Sequence, residues 1–238
     1  MYLDANESIE LATALRHEIH SERVCTAVFP TMLSFREVFK ILEQSFLAVG
    51  VQNIGWTPKG AYTGAVSAHL AKQGGAKYTL VGHSERRYIF GEGDTDVTKK
   101  VEAADAVDLI PVVCIGETQQ DLDEGKRQYR LKKQIQAIFE GKDLSKPLLI
   151  AYEPVWAISS NQGSRPCLPV DAEDVIGWIK KELEAFGGQI PVLYGGSVTP
   201  ENCESYLELP SVDGLLVGSA STKKDAFVQI LEKGSHFS

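Results

Sequence analysis

The sequence predicts an α/β protein built on one parallel sheet, and three observations lead there. Short apolar runs rich in β-branched residues alternate with helical stretches down the whole chain. The runs are almost continuously apolar, as strands covered on both faces must be. The spacing leaves room for a helix in each connection, which implies parallel pairing. A closed barrel and an open doubly wound sheet both satisfy these observations. The 238 residues suit one unit, because a (β/α)₈ barrel runs to roughly 250 residues as a single domain.

The strand candidates are residues 24–29, 49–53, 78–81, 109–115, 148–152, 190–194 and 214–217. Amphipathic stretches lie between them, among them 121–139 and 171–186. The second is opened by Pro169 and Asp171 and closed at Gly187-Gly188, which are start and stop signals of a helix. At the beginning, Asn6 or Ser8 can cap a helix over 9–19, with Leu11, Leu15 and Ile19 along one face. That makes eight helices for seven strands. In a right-handed βα series each helix follows a strand, so a strand is expected ahead of this first helix. No linker, low-complexity tract or repeat divides the chain, and one domain over 1–238 is expected.

Composition narrows the partners. The formal net charge is −8, and such a surface repels nucleic acid and anionic lipid, so neither is an expected partner. An acidic protein still binds anions where backbone N–H groups and helix N-termini supply a local positive field. No apolar stretch reaches the ~18 residues that span a membrane, and the N-terminus has no secretory pattern. Cys25, Cys114, Cys167 and Cys203 are scattered without a CxxC pair or a metal-like grouping. Free thiols in a reducing cytoplasm are the expectation.

Four segments fall at the C-terminal ends of predicted strands, where barrel active sites are built. They are Val81-Gly82-His83-Ser84-Glu85-Arg86-Arg87, Ala151-Tyr152-Glu153-Pro154-Val155-Trp156-Ala157-Ile158, Tyr194-Gly195-Gly196-Ser197-Val198 and Leu216-Val217-Gly218-Ser219-Ala220-Ser221. Gly60-Ala61-Tyr62-Thr63-Gly64 and Cys114-Ile115-Gly116-Glu117-Thr118 support them. In order and spacing this set resembles the triosephosphate isomerase family from Met1 to about Lys233. The resemblance implies a (β/α)₈ TIM barrel with its first β-strand absent from the chain as given. It also implies a cofactor-independent aldose–ketose isomerase of glycolysis and gluconeogenesis. Such an enzyme interconverts dihydroxyacetone phosphate and glyceraldehyde 3-phosphate through an enediol(ate).

The residues carry chemistry that fits. Glu153 sits at a strand end beside Pro154 and Trp156, where desolvation raises a carboxylate's basicity, and it matches the family's base. His83 matches the electrophile. Ser84-Glu85 read as the cap and first turn of a short helix, whose positive end favours neutral imidazole that donates one N–H to a carbonyl. His17, His20, His69 and His236 have no such context and read as surface residues. Gly195, Gly196, Ser197, Gly218 and Ser219 match the phosphate-binding loops, with a serine at 219 where the family usually has a second glycine. Ser159 matches the lid position whose N–H meets phosphate.

Two departures stand out. The segment from Ser159 to Pro169 is longer than the family's lid, lacks its Gly-Thr-Gly-Lys-like tip and carries Pro166 and Pro169. The family's first strand ends in Asn-Trp-Lys, and Met1 falls just past the position of that substrate-binding lysine. Glu85, which faces the lysine in the family, is then expected to be a buried carboxylate without its partner, and poor activity and aggregation are expected of an opened barrel. Two alternatives follow: an isomerase of a related phosphosugar such as a tetrulose phosphate, or a catalytically impaired phosphate-binding barrel. The segment Gln52-Asn53-Ile54-Gly55-Trp56-Thr57-Pro58-Lys59-Gly60-Ala61-Tyr62-Thr63-Gly64 resembles the family's interdigitating loop, so a homodimer is expected, with Pro58 altering its grip.

Overall fold

The computed structural model describes residues 2–20, 23–141, 146–158, 165–187 and 189–237. The chain opens with α1 (Ala5–Glu18), then runs β1 (Thr26–Val28), α2 (Phe35–Leu42), β2 (Leu47–Val51), α3 (Ala68–Gln73) and β3 (Tyr78–Val81). It continues through α4 (Ser84–Tyr88), α5 (Asp94–Asp105), β4 (Ile110–Ile115), α6 (Gln119–Asp123), α7 (Arg127–Phe139) and β5 (Leu149–Tyr152). The last third holds α8 (Pro169–Glu184), β6 (Val192–Tyr194), α9 (Cys203–Leu207), β7 (Gly214–Leu215) and α10 (Lys224–Gly234).

The seven strands lie in chain order, β1-β2-β3-β4-β5-β6-β7. Every neighbouring pair is parallel. A doubly wound sheet reverses its strand order at a switch point; this one does not. Ala27 and Phe29 from the β1 end of the sheet share one interior cluster with Leu193 and Leu216 from the β6–β7 end, around Tyr78, Val112, Cys114 and Ala151. The sheet therefore curls toward closure. The pairing nevertheless stops at β1 and β7, which leaves a seam where the strand ahead of α1 was expected.

Residues facing outward from the sheet meet the helices. Val113, Ile115, Ile150 and Val192 pack with Leu131, Ile135 and Ile138 of α7 and Ile176 and Ile179 of α8. On the other side, Val49 and Val51 pack with Phe35, Val38 and Leu42 of α2, Ala12 and Leu15 of α1, and Phe227 of α10. Alternation along the strands assigns each side chain to one of these layers, which is why the runs read as continuously apolar.

Several boundaries differ from expectation. Asp4 caps α1, accepting from the Glu7 N–H at 2.9 Å while Glu7 accepts from the Asp4 N–H at 2.8 Å. Asn6 and Ser8 are helical residues, and the Ser8 hydroxyl donates to the Asp4 carbonyl. The capping box outcompetes both because it satisfies two orphan groups at once. The stretch 121–139 is two helices. Thr118 starts the first through its own capping box with Asp121, and Gly125 at φ 66 ends it before Arg127 begins the second. α8 begins at Pro169 and has Ala185 as its C-cap; Gly187 adopts φ 85, and Gly188 lies outside the described residues. Among the described residues no helix is long and apolar enough to cross a membrane, and all four cysteines carry free thiols.

Ile179 is 0% exposed between α8 and the sheet. Ile179→Ala is expected to cost about 2–5 kcal/mol, the range for deleting a core side chain that its surroundings cannot refill. Urea unfolding followed by circular dichroism measures it; a loss below about 0.5 kcal/mol, the level of a surface change, would contradict this account of the packing.

Candidate functional site

Parallel pairing in chain order brings the C-terminal ends of the strands to one rim. His83 leaves β3, Glu153 leaves β5, Gly195 leaves β6 and Gly218 follows β7. Glu153 is placed by backbone: its N–H donates to the Ile115 carbonyl at 2.8 Å, extending the β4–β5 ladder by one step. Gly116 stands opposite. A Cβ at that position would lie 1.8 Å from the Glu153 carbonyl oxygen, so only glycine admits the approach.

The Glu153 side chain is buried, with 2% of the residue exposed. One carboxylate oxygen lies 3.0 Å from His83 Nε2, and the other accepts the Ser84 backbone N–H at 3.0 Å. His83 is itself the N-cap of α4. Its Nδ1 accepts the Glu85 backbone N–H at 3.3 Å. The cap thus stands one residue earlier than expected, and Ser84 is the first helical residue. An Nδ1 that accepts carries no proton, so the neutral ring holds its proton on Nε2 and presents it toward the rim.

Two influences compete on this imidazole. Burial favours the neutral form, but the adjacent Glu153 carboxylate, with a smaller contribution from Glu85, outweighs it and raises the His83 pKa. The helix end, which favours neutrality, is legible in the sequence; the carboxylate resting on the ring is set by the fold. Protonating Nδ1 would break its bond from the Glu85 N–H, so this cap opposes the charged form that the Glu153 contact favours. Glu85 is solvent-exposed rather than buried, and the expectation of a desolvated carboxylate there is overturned.

The glycine loop after β6 packs directly on Glu153. A Cβ at Gly195 would come within 3.0 Å of Glu153 Cγ. No helix starts there; Gly195, Gly196 and Ser197 form an open turn, and α9 begins only at Cys203. Asn202 fixes the turn, donating to the Ser197 carbonyl at 3.0 Å and accepting from the Thr199 N–H at 2.8 Å. The Ser197 hydroxyl donates to the Ala157 carbonyl at 2.8 Å, tying this loop to the segment after Glu153. Gly218 and Ser219 are exposed, and a 3₁₀ turn over Ser219–Thr222 begins at once after Gly218. Ser159 lies outside the described residues.

Sequence reasoning did not single out the group that anchors this segment. Glu117 is fully buried, and one of its oxygens accepts from the Tyr152 hydroxyl at 3.0 Å and from the Trp156 indole at 2.8 Å, with Arg127 at 3.1 Å. Burial pushes the carboxyl pKa up against the opposing pull of Trp156, Arg127 and Tyr152. The Glu117 carbonyl also accepts the Val155 N–H at 3.1 Å. These bonds pin the 3₁₀ turn Val155–Ala157, while the Arg165 guanidinium lies 4.9 Å above the Trp156 ring. A lone glutamate after a strand carries no signal of such a role; its partners come from another strand and another helix.

Comparison with known proteins agrees with this geometry. The family model described as "Triosephosphate isomerase" matches residues 1–234. The chain is 38% identical over 241 residues to a triosephosphate isomerase of Roseiflexus sp. (strain RS-1), covering 97% of this chain and 93% of the relative. It is 36% identical over 237 residues to that of Moorella thermoacetica, covering 97% and 94%. It is also 37% identical over 239 residues to an L-erythrulose-1-phosphate isomerase of Rhizobium etli, covering 97% and 89%.

The His83–Glu153 contact makes a pH prediction. A histidine whose folded pKa exceeds its unfolded value of about 6.5 contributes stability fully below that value and loses it as pH rises through the folded one. In an NMR titration, the His83 ring is expected to titrate above the ordinary histidine value of about 6.5. In Glu153→Gln the charge is gone while burial remains, so the midpoint is expected to fall from its position in the unaltered protein. An unchanged midpoint would show that Glu153 does not set the ring's charge.

Proposed function

Because the chain belongs to the triosephosphate isomerase family, we propose that it interconverts dihydroxyacetone phosphate and glyceraldehyde 3-phosphate with Glu153 and His83 as its catalytic pair. The observation that carries this reading is the 3.0 Å approach of His83 Nε2 to Glu153 at the strand ends. A substrate carbonyl oxygen that takes the Nε2 proton displaces Glu153 from the ring and leaves the carboxylate free. The carboxylate then removes a proton from the carbon beside the carbonyl, His83 holds the developing enediolate oxygen, and Glu153 returns the proton to the neighbouring carbon. No cofactor enters this proton transfer.

Backbone N–H groups of Gly196, Ser197, Gly218 and Ser219 are the proposed phosphate cradle, with Ser159 completing it from the lid; the Gly195 N–H is taken by the Tyr152 carbonyl at 2.8 Å, so Gly195 serves by the close approach its missing side chain allows. The exposed, glycine-bearing turn at Gly218–Ser219 suits close approach by a dianion. Glu85 contributes through its backbone N–H, which holds His83 in the tautomer that donates from Nε2. A second reading has a specific observation behind it: the Rhizobium relative carries the name of a tetrulose-phosphate isomerase at comparable identity. Ser219 and the long lid are where a preference for a longer sugar would be written. Assay of dihydroxyacetone phosphate beside L-erythrulose 1-phosphate separates the two, since kcat/KM should favour the true substrate.

The 52–64 loop supports a homodimer. Trp56 and Tyr62 stack edge to face 6.3 Å apart and are 37% and 51% exposed, and Leu33, Ile89 and Phe90 are exposed apolar residues as well. Aromatic residues so placed suit an interface better than water.

Glu153→Gln keeps the shape and removes the base. Turnover is expected to fall about 10²–10⁴-fold, the usual contribution of general base catalysis, while inorganic phosphate still binds; unchanged turnover would refute the assignment. Sedimentation of dilute protein is expected to give about twice the 26.0 kDa chain mass, and a single-chain mass at every concentration would refute the dimer.

A further inference from the structure

The parallel ladder carries the chain to the edge of the glycine turn and no further. The Tyr194 carbonyl accepts the Leu216 N–H at 2.8 Å and the Gly195 N–H donates to the Tyr152 carbonyl at 2.8 Å, so the backbone is fixed up to Gly195. Beyond it no strand continues. What lies against Gly196 is the Tyr194 phenol, whose hydroxyl oxygen would stand 2.2 Å from a Cβ at that position. The turn is therefore held only as firmly as this ring is held. Tyr194 is fully buried, yet its hydroxyl has no hydrogen-bond partner among the described residues. Another ring holds it instead. Tyr206 of α9 stacks on Tyr194 with centroids 4.1 Å apart and planes 14° from parallel. Tyr206 is itself buried and donates its hydroxyl to the Cys167 carbonyl at 2.6 Å.

We propose that Tyr206 is a positioning residue for the phosphate turn, holding the Tyr194 ring against Gly196 and fixing that ring's depth through the bond to Cys167. The proposal rests on the reading of Gly196 and Ser197 as phosphate donors. Stacking resists separation of two flat rings but not their sliding, whereas a hydrogen bond is directional and stops the slide. Cys167 is a firm anchor, since it is buried two residues ahead of Pro169, where α8 begins. The turn is thus braced twice from one element. Asn202, just ahead of α9, bonds to Ser197 and Thr199, and Tyr206, one helical turn later, steadies Tyr194. Among the described residues neither the Gly196 nor the Ser197 N–H has a partner, so both donors remain for a ligand. A small displacement of Gly196 lengthens several bonds to a dianion together, in substrate and transition state alike. Gly195, which packs on Glu153, is fixed by the ladder and does not move with it. Losing Tyr206 therefore weakens binding and spares the proton transfer, which raises KM and leaves kcat.

Tyr206→Phe keeps the stacked ring and removes only the bond to Cys167; Tyr206→Leu removes both. Three quantities are read: kcat and KM for dihydroxyacetone phosphate, the Kd of inorganic phosphate by calorimetry, and the amide resonances of Gly196 and Ser197 without ligand. In Tyr206→Phe, KM and the phosphate Kd are expected to rise about three- to tenfold, the effect of one buried hydrogen bond. kcat should stay within about twofold, because the interaction lost is common to ground and transition states. The two amide resonances should move, since the turn shifts while the ring that shields it remains. Tyr206→Leu should raise KM further; if it fails to fold, the phenylalanine variant decides. Ile179→Ala separates positioning from general loss of stability, and it is expected to lower the thermal midpoint with KM unchanged. Unchanged KM and phosphate Kd in Tyr206→Phe would overturn the proposal, as would a fall in kcat at constant KM or an equal rise of KM in Ile179→Ala. If the unaltered protein binds no phosphate, the cradle reading fails on its own. The resonances then decide whether Tyr206 positions the turn: movement in Tyr206→Phe sustains it, and fixed resonances overturn it.

Discussion

The Glu153 N–H bond to the Ile115 carbonyl continues the parallel ladder one residue past the strand, and much of the rim is arranged around it. It requires β4 and β5 to approach so closely at their ends that Gly116 has no room for a side chain. Once that approach is made, the carboxylate points into a rim where His83, Ser84 and Gly195 are already waiting at neighbouring strand ends. The same continuation brings Pro154 and Trp156 over Glu117, whose carboxylate anchors the following turn. Backbone hydrogen bonding thus positions the groups, and side-chain chemistry acts from those positions.

Glu153 and Glu117 show how environment separates two carboxylates of one type. Glu153 is held at the rim by a backbone N–H and an imidazole, both of which a polar ligand can replace. Glu117 is enclosed by Tyr152, Trp156 and Arg127, with one oxygen buried and unpaired. Burying a carboxylate costs free energy that only hydrogen bonds and an opposite charge offset. An anchor under a turn gains from such bonds being hard to exchange, whereas the base proposed at Glu153 gains from their being exchangeable.

The open seam and the closed helix layer follow from different interactions. Helix packing needs only apolar faces of suitable spacing, and Ala12, Leu15, Val38, Leu42 and Phe227 provide them on three helices. Strand pairing needs a backbone at one definite spacing, and no side chain substitutes for it.

Much of this was legible in the chain. Apolar runs bounded by glycine and proline located all seven strands, because strands covered on both faces leave a continuous signature, and the helix count against the strand count exposed the seam. The ordered strand-end motifs located His83, Glu153 and the glycine turns, since local backbone needs write glycine and cap residues into the sequence. Asp4 as cap and the break at Gly125 were missed because capping boxes and left-handed glycines compete with equally plausible neighbours only a few residues away. The exposure of Glu85, the burial of Glu117 and the carboxylate resting on His83 were decided by tertiary structure alone. Each depends on groups from separate strands and helices, and no spacing along one segment encodes the distance between side chains that meet only when the sheet curls.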